Sequence, residues 1–170
     1  MNNSPPAQER TYQLMDGRAE ASTAIDTVVA STRAEICIFD VHVRALAERG
    51  FASPERHELL RKMLLASRQH RMRLILHDVQ GFESALPRLH QLLTQFSGQV
   101  HVHRSVGVAR EATDPLVIGD DCHFWHKLHV DHPRSVLTLN DAMDCRPWRE
   151  RFEEIWDSSE PAISGTTLGL

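Results

Sequence analysis

The sequence predicts a single α/β domain: a mixed, mostly parallel sheet flanked by helices. Three observations carry this expectation. Between Arg18 and Arg104, amphipathic segments alternate with short apolar runs in the order helix, strand, helix, strand, helix, strand, and that order requires crossover connections. After about residue 115 the runs become short strands joined by tight polar turns, as in antiparallel hairpins. The chain has 170 residues, 41% of them apolar and 25% charged, which suits one core able to form without disulfides or metals.

The elements follow in order. Residues 1–10 are polar and Pro-rich and read as a flexible N-terminus. Thr11 to Met15 suits a short strand closed by the turn signal Asp16-Gly17. Ala21, Ile25, Val28, Val29 and Thr32 then share one helical face. Glu35 to Asp40 is a buried strand ending in a carboxylate. After a connection broken at Gly50, Ser53-Pro54-Glu55 starts a helix: a side-chain cap, a proline at the first helical position and an acid at the positive dipole end. Leu59, Leu60, Met63 and Leu64 are its buried stripe. Arg71 to His77 is the second strand, residues 84–96 the next helix, and Gln99 to Arg104 the third strand, with Val100 and Val102 on one face and His101 and His103 on the other. Leu116 to Gly119, Cys122 to His126 and Ser135 to Leu139 are the later strands. A final helix from Pro147 carries Trp148, Phe152, Ile155 and Trp156 on one face. The domain is expected over residues 11–160, with a C-terminal tail over 161–170.

Composition narrows the function classes. The formal net charge of −4 argues against nucleic acid as the default partner. The basic residues Arg56, Arg61, Lys62, Arg68, Arg71 and Arg73 alternate with the leucine stripe and read as a solvated helix face; no aromatics interleave as a base-stacking platform would need. Cys37, Cys122 and Cys145 form no zinc-type pair and, being three, no disulfide framework. The N-terminus lacks the apolar core of a signal peptide, and no apolar run has the length of a membrane span, so a cytoplasmic location is expected.

Two constellations could carry chemistry. Among the 11 histidines one group is dense, and a hairpin could bring His126, His129 and Asp131 together as ligands for a divalent metal, or leave them as a polar turn. The second follows from topology, because open parallel sheets bind ligands beyond the carboxyl ends of their strands. The three strands end in Asp40 and His42, in His77 and Asp78, and in His103 and Arg104. That rim could hold a phosphate or carry out acid–base work, or be polar only because the chain emerges into water there. No nucleophile follows a strand in a strained turn. Trp125, Trp148 and Trp156 read as core or interface anchors.

Three segments resemble the phospholipase D-like superfamily: AIDTVVASTRAEICIFD, ELLRKMLLASRQHRMRLILHD, and DPLVIGDDCHFWHK followed by RPWRERFEEIWDSSEP. The resemblance covers roughly residues 11–160 and implies a phospholipase D-like half-domain. Chemistry in that superfamily requires H-x-K-x4-D, with a nucleophilic His and a phosphate-binding Lys. With Asp120 at the motif's Asp, the His position falls on Thr113 and the Lys position on Pro115. Neither residue can do that work. The chain is therefore similar to half-length bacterial members that lack the H-x-K pair. The resemblance implies a non-catalytic binding or interaction module and a homodimer, since half-length members pair to complete their cleft. It also leaves room for a protein partner or a phosphate-containing ligand, without an obligatory cofactor. The alternative is a metal-assisted phosphoester hydrolase using the His/Asp cluster.

Overall fold

The computed structural model describes residues 8–165. One eight-stranded sheet organises them, in the order β1-β7-β6-β5-β2-β3-β4-β8. β1 (Thr11–Asp16) leads through Gly17 into α1 (Arg18–Ser31), and β2 (Glu35–His42) follows. The next connection is helical: a short α2 (Val43–Leu46) runs into a wide turn over Ala47–Phe51, which ends at Gly50 with φ 90°. α3 (Pro54–Ala66) starts as expected, with the Ser53 side chain accepting from the Arg56 amide. β3 (Arg71–Asp78) leads to two helices where the sequence suggested one, α4 (Phe82–Ala85) and α5 (Pro87–Gln95). The break lies at Leu86, whose φ −130° and ψ 54° take it out of the helical region that a following proline disfavours.

β4 (Val100–Ser105) completes a parallel trio with β2 and β3. β5 (Leu116–Gly119), β6 (His123–Lys127) and β7 (Arg134–Leu139) then extend the sheet by antiparallel pairing beyond β2. α6 (Ala142–Asp157) begins earlier than Pro147, capped by Asp141, whose carboxylate accepts from the Asp144 amide. The tail expected over 161–170 begins within β8 (Ser159–Ile163), which pairs antiparallel with β4. The sheet is thus mixed, with parallel pairing confined to its centre rather than predominant. The terminal segments 1–7 and 166–170 lie outside the described residues.

Strand alternation makes two cores. Ile36, Ile38, Leu74, Leu76, Val102 and Trp125 face α1, α3 and α5. Cys37, Phe39, Ile75, Ile118 and Phe124 face α6, which contributes Phe152 and Ile155. α1 lies close against β5: a Cβ at Gly119 would come within 2.0 Å of the Thr32 hydroxyl. The turn after β5 is bound to the end of α1 by Asp120, whose carboxylate accepts the amides of Arg33, Ala34 and Glu35 at 2.6–3.0 Å.

Two arginines from the supposed solvated stretch are interior. Arg56 is 1% exposed. Its guanidinium donates to Asp26 at 2.8 Å, to the Arg49 carbonyl at 2.5 Å and to the Ser22 carbonyl at 2.9 Å, and it stacks on Phe51. Arg73 is buried on the opposite side of the sheet, bound to Glu35 and Glu153 under α6. The helical period placed Arg56 beside the leucines, but Ser22, Asp26 and the Ala47–Phe51 turn supply enough acceptors to bury it. No single basic surface runs through these residues.

Arg56→Met should therefore destabilise the fold by about 3 kcal/mol, because it leaves the Arg49 and Ser22 carbonyls unpaired in the interior. Arg61→Ala, on the exposed side of the same helix, should change stability by less than about 1 kcal/mol. Urea denaturation of both variants measures the difference.

Candidate functional site

The carboxyl ends of β2 and β6 converge on a cleft of about 430 Å³ lined by Arg18, His42, Glu48, Arg49, Lys127 and Asp131, among others. Asp40 lies beneath it, 1% exposed. Burial pushes its carboxyl above the ordinary range, and Arg49, whose Nε lies 2.6 Å away, pulls it back. The Arg49 guanidinium also sits over the Trp125 ring, 5.3 Å from its centroid. Lys127 donates to the Val130 carbonyl at 3.2 Å. Burial and the nearby Arg49 cation lower its pKa, against the opposing pull of Asp40 and Asp131. Its register neighbour Ser135 is buried, with a hydroxyl that has no partner. His42 serves local structure, its Nδ1 accepting the Ala45 amide at the start of α2.

The six residues of the expected rim do not form one site. Asp40 and His42 lie on the α1 side of the sheet, with Arg49. His77 and His103 lie on the α6 side, because they alternate with residues of the other core. His77 is held between the Ser105 hydroxyl at 2.5 Å and the Ala112 carbonyl at 2.6 Å. This arrangement resembles a Ser–His dyad, but Ser105 is fully buried and no substrate reaches it. Asp78 caps the following turn by accepting the Gln80 amide. His103 stacks on Trp156, 3.8 Å between centroids, and Arg104 pairs with Glu160 of β8.

The metal candidates separate in the same way. His126 points to the α6 side, where it stacks on Trp148 at 3.7 Å. His129 and Asp131 lie in the exposed turn after β6, where the Asp131 amide donates to His129 Nδ1 at 3.1 Å. Among the described residues no three His, Cys, Asp or Glu side chains converge as a metal site. The reason is again strand alternation: His126 is still in β6, facing away from the cleft, whereas the other two lie beyond its end. Burial raises the thiols of Cys37 and Cys145 to about 12 and raises that of Cys122 as well.

Thr113 and Pro115 stand at the entrance to β5, at the same end of the sheet as the cleft. The Thr113 carbonyl accepts the Val130 amide at 2.6 Å and the Pro115 carbonyl accepts the Lys127 amide at 2.9 Å. Asp114 between them is bound by Arg151 of α6 at 2.9 and 3.0 Å. These bonds knit the entrance of β5 to the end of β6 and to α6, and Pro115 is buried.

Sequence reading missed Arg18, Arg49 and Lys127 as a group. One signal was available: a carboxylate ending a buried strand needs a cation, and Arg49 lies one helical segment downstream of Asp40. Nothing in the sequence marked Lys127, on a strand paired two positions away, as belonging to the same cleft.

The fold has known relatives. The chain superposes on TrmBL2, an archaeal chromatin protein with a novel mode of DNA binding, with a TM-score of 0.65 at 15% identity, over 92% of this chain and 56% of that one. Nuc from Salmonella typhimurium, a phospholipase D family member, gives 0.64 at 11%, over 92% and 100%. Phosphatidylserine synthase from Haemophilus influenzae Rd KW20 gives 0.59 at 13%, over 92% and 40%. The chain thus spans about half the length of the chromatin protein, less of the synthase and all of Nuc. At these identities the likeness establishes a phospholipase D-like fold. No curated protein sequence matches the chain. The model of a family described as a domain of unknown function, DUF7931, matches residues 17–165.

The His126 stack has a consequence for stability. Burial lowers this imidazole to about 4, and its Nδ1 has no partner. In the unfolded chain it takes up a proton near pH 6.5. The unfolded state therefore binds more protons between those values, and stability must fall as pH drops from about 6.5 towards 4, by up to about 3 kcal/mol. His126→Phe, which keeps the stack on Trp148, should flatten this part of the stability profile. Thermal melts of both proteins across that range measure it.

Proposed function

The chain belongs to the DUF7931 family, and we propose that it is a non-catalytic binding module on the phospholipase D-like fold, its cleft taking a phosphate-containing ligand. The observation that carries this reading is the pair Thr113 and Pro115 at the positions where the superfamily's chemistry needs His and Lys. Thr113 has no basic nitrogen, and Pro115 has neither a charge nor an N–H to offer a phosphate. The bonds at the entrance of β5 support a structural role for this segment.

A fold shared by a DNA-binding chromatin protein, a phospholipase D family member and a lipid synthase does not choose among functions; the residues of the site must. Here the cleft offers Arg18, 84% exposed at its side chain, together with Lys127 and the partly exposed Arg49. Arg49 is committed to Asp40. Arg18 approaches Glu48 only at 3.7 Å, and the Lys127 ammonium has a carbonyl partner rather than a carboxylate. These two cations suit a phosphate group, whose arrival would give the Lys127 ammonium a direct anionic partner. The hydrolase alternative needs metal ligands or a nucleophile in this cleft; of the proposed ligands Asp131 lines it, but His126 faces α6, where it stacks on Trp148.

Two measurements test the proposal. Bis(4-nitrophenyl) phosphate should not be turned over, with or without added zinc or manganese; turnover that purifies with the protein would overturn the non-catalytic reading. Titration with inorganic phosphate and with a nucleoside monophosphate, followed by NMR, should perturb His42 and Lys127. The double variant Arg18→Ala, Lys127→Met should weaken binding at least about tenfold, which is roughly 1.4 kcal/mol.

A further inference from the structure

The two edges of the sheet are unlike. β8 carries Pro161 and Glu160, and Glu160 is paired with Arg104; a proline and a charge are the usual means of keeping an edge strand from pairing further. β1, with the sequence TYQLMD, has neither within its first five residues. It exposes Tyr12 at 59% and Leu14 at 63%.

The backbone of β1 can be assigned direction by direction. The Gly17 amide donates to the Pro133 carbonyl, continuing the ladder that pairs Met15 with Ser135 and Gln13 with Leu137. In an antiparallel ladder the bonded positions alternate, so the odd residues of β1 face β7 and Tyr12, Leu14 and Asp16 direct their amides and carbonyls away from the sheet. The Asp16 amide agrees with this, since it donates outward to Glu20 at 2.8 Å. The outward groups of Tyr12 and Leu14 have no partner among the described residues.

We propose that β1 is the dimerisation strand and that its occupant is β1 of a second copy of this chain, paired antiparallel about a twofold axis at Gln13. That register sets Tyr12 opposite Leu14 of the second copy, and Leu14 opposite its Tyr12. Both are bonded pairs, so four backbone hydrogen bonds satisfy all the open groups of these two residues. Each pair also joins an exposed aromatic ring to an exposed aliphatic side chain on the same face. Two positions beyond, Arg10 meets Asp16 of the second copy at both ends, opposite charges where a like pair would repel. Arg10 is anchored to Asp141 and Asp144 on the α6 side, the face on which Tyr12 and Leu14 also lie, and its side chain is 60% exposed. The interface is isologous, as a twofold requires, and it joins two sheets into one. It uses the sheet edge and is independent of the cleft, so it stands or falls separately from the ligand-binding reading.

Analytical ultracentrifugation of the full chain should show a concentration-dependent dimer. Tyr12→Lys with Leu14→Lys sets two like charges against each other at each pair and should weaken self-association at least about tenfold, with an unchanged circular dichroism spectrum. A second measurement does not depend on that variant folding. Gln13→Cys lies at the axis in a non-bonded pair, where Cα atoms approach to roughly 4.5 Å, and should give a disulfide-linked dimer on oxidation. Leu128→Cys, beyond the end of β6, should not. A monomeric wild-type protein, a dimer that survives the lysine pair, or cross-linking through Leu128→Cys instead of Gln13→Cys would each overturn the proposal.

Discussion

A carboxylate at the end of a buried strand needs a cation, and the region around the cleft is arranged to supply one. Asp40 cannot be hydrated, so Arg49 must reach it. The chain after β2 is shaped accordingly: His42 caps the short α2, and a wide turn ends at Gly50, whose φ of 90° suits glycine and whose missing Cβ leaves room for the Ser22 hydroxyl and the Arg56 guanidinium. Arg56 then fixes the same turn by its carbonyl, tying α3 to α1 and to the residue that neutralises Asp40. Two guanidiniums in series, that of Arg49 holding a carboxylate and that of the buried Arg56 holding the backbone of Arg49, tie this end of the sheet together. The cleft with Arg18 and Lys127 is the space left beside that arrangement.

The two-faced sheet imposes the second constraint. Successive residues of a strand belong to different compartments, so polar residues that are close in sequence at a strand end are separated in space. Asp40 belongs with Arg49 above Trp125, while His77 and His103 belong with Ser105 and Trp156 under α6. Lys127 and His126, adjacent in sequence, serve the cleft and the α6 core respectively. On the α6 side His126 and His103 pack flat against Trp148 and Trp156, where the imidazoles act as aromatic surface.

The parts of the fold legible in the sequence were those set by local pattern. The period of Ala21, Ile25, Val28 and Val29, the Ser53 cap and the apolar runs of β2 and β3 each announce an element whose core face is fixed by spacing alone. β8 was not legible: Ser159–Ile163 contains a proline and a glutamate and becomes a strand only because β4 offers it an edge. The early start of α6 was obscured by Pro147, which sits inside a helix that Asp141 had already begun. The candidate site was legible only in its location, the carboxyl ends of the strands. Its membership depended on pairings between β5, β6 and β2 that bring residue 127 near residue 49, and no local pattern encodes a distance of that kind.

The superfamily motif shows how separable architecture and chemistry are on this fold. On the resemblance, with Asp120 set at the motif's Asp, Thr113 and Pro115 take the His and Lys positions, and Asp120 here gathers three backbone amides at the junction of α1 and β2. A side chain with that task is needed whether or not the domain reacts with anything, because without it those amides lose their acceptor at the entry to the central strand. Thr113 and Pro115 contribute mainly through their carbonyls to the bonds that shape the entrance of β5, and a backbone carbonyl places little demand on the side chain that accompanies it. The proposed binding module requires a sheet, a cleft and two cations.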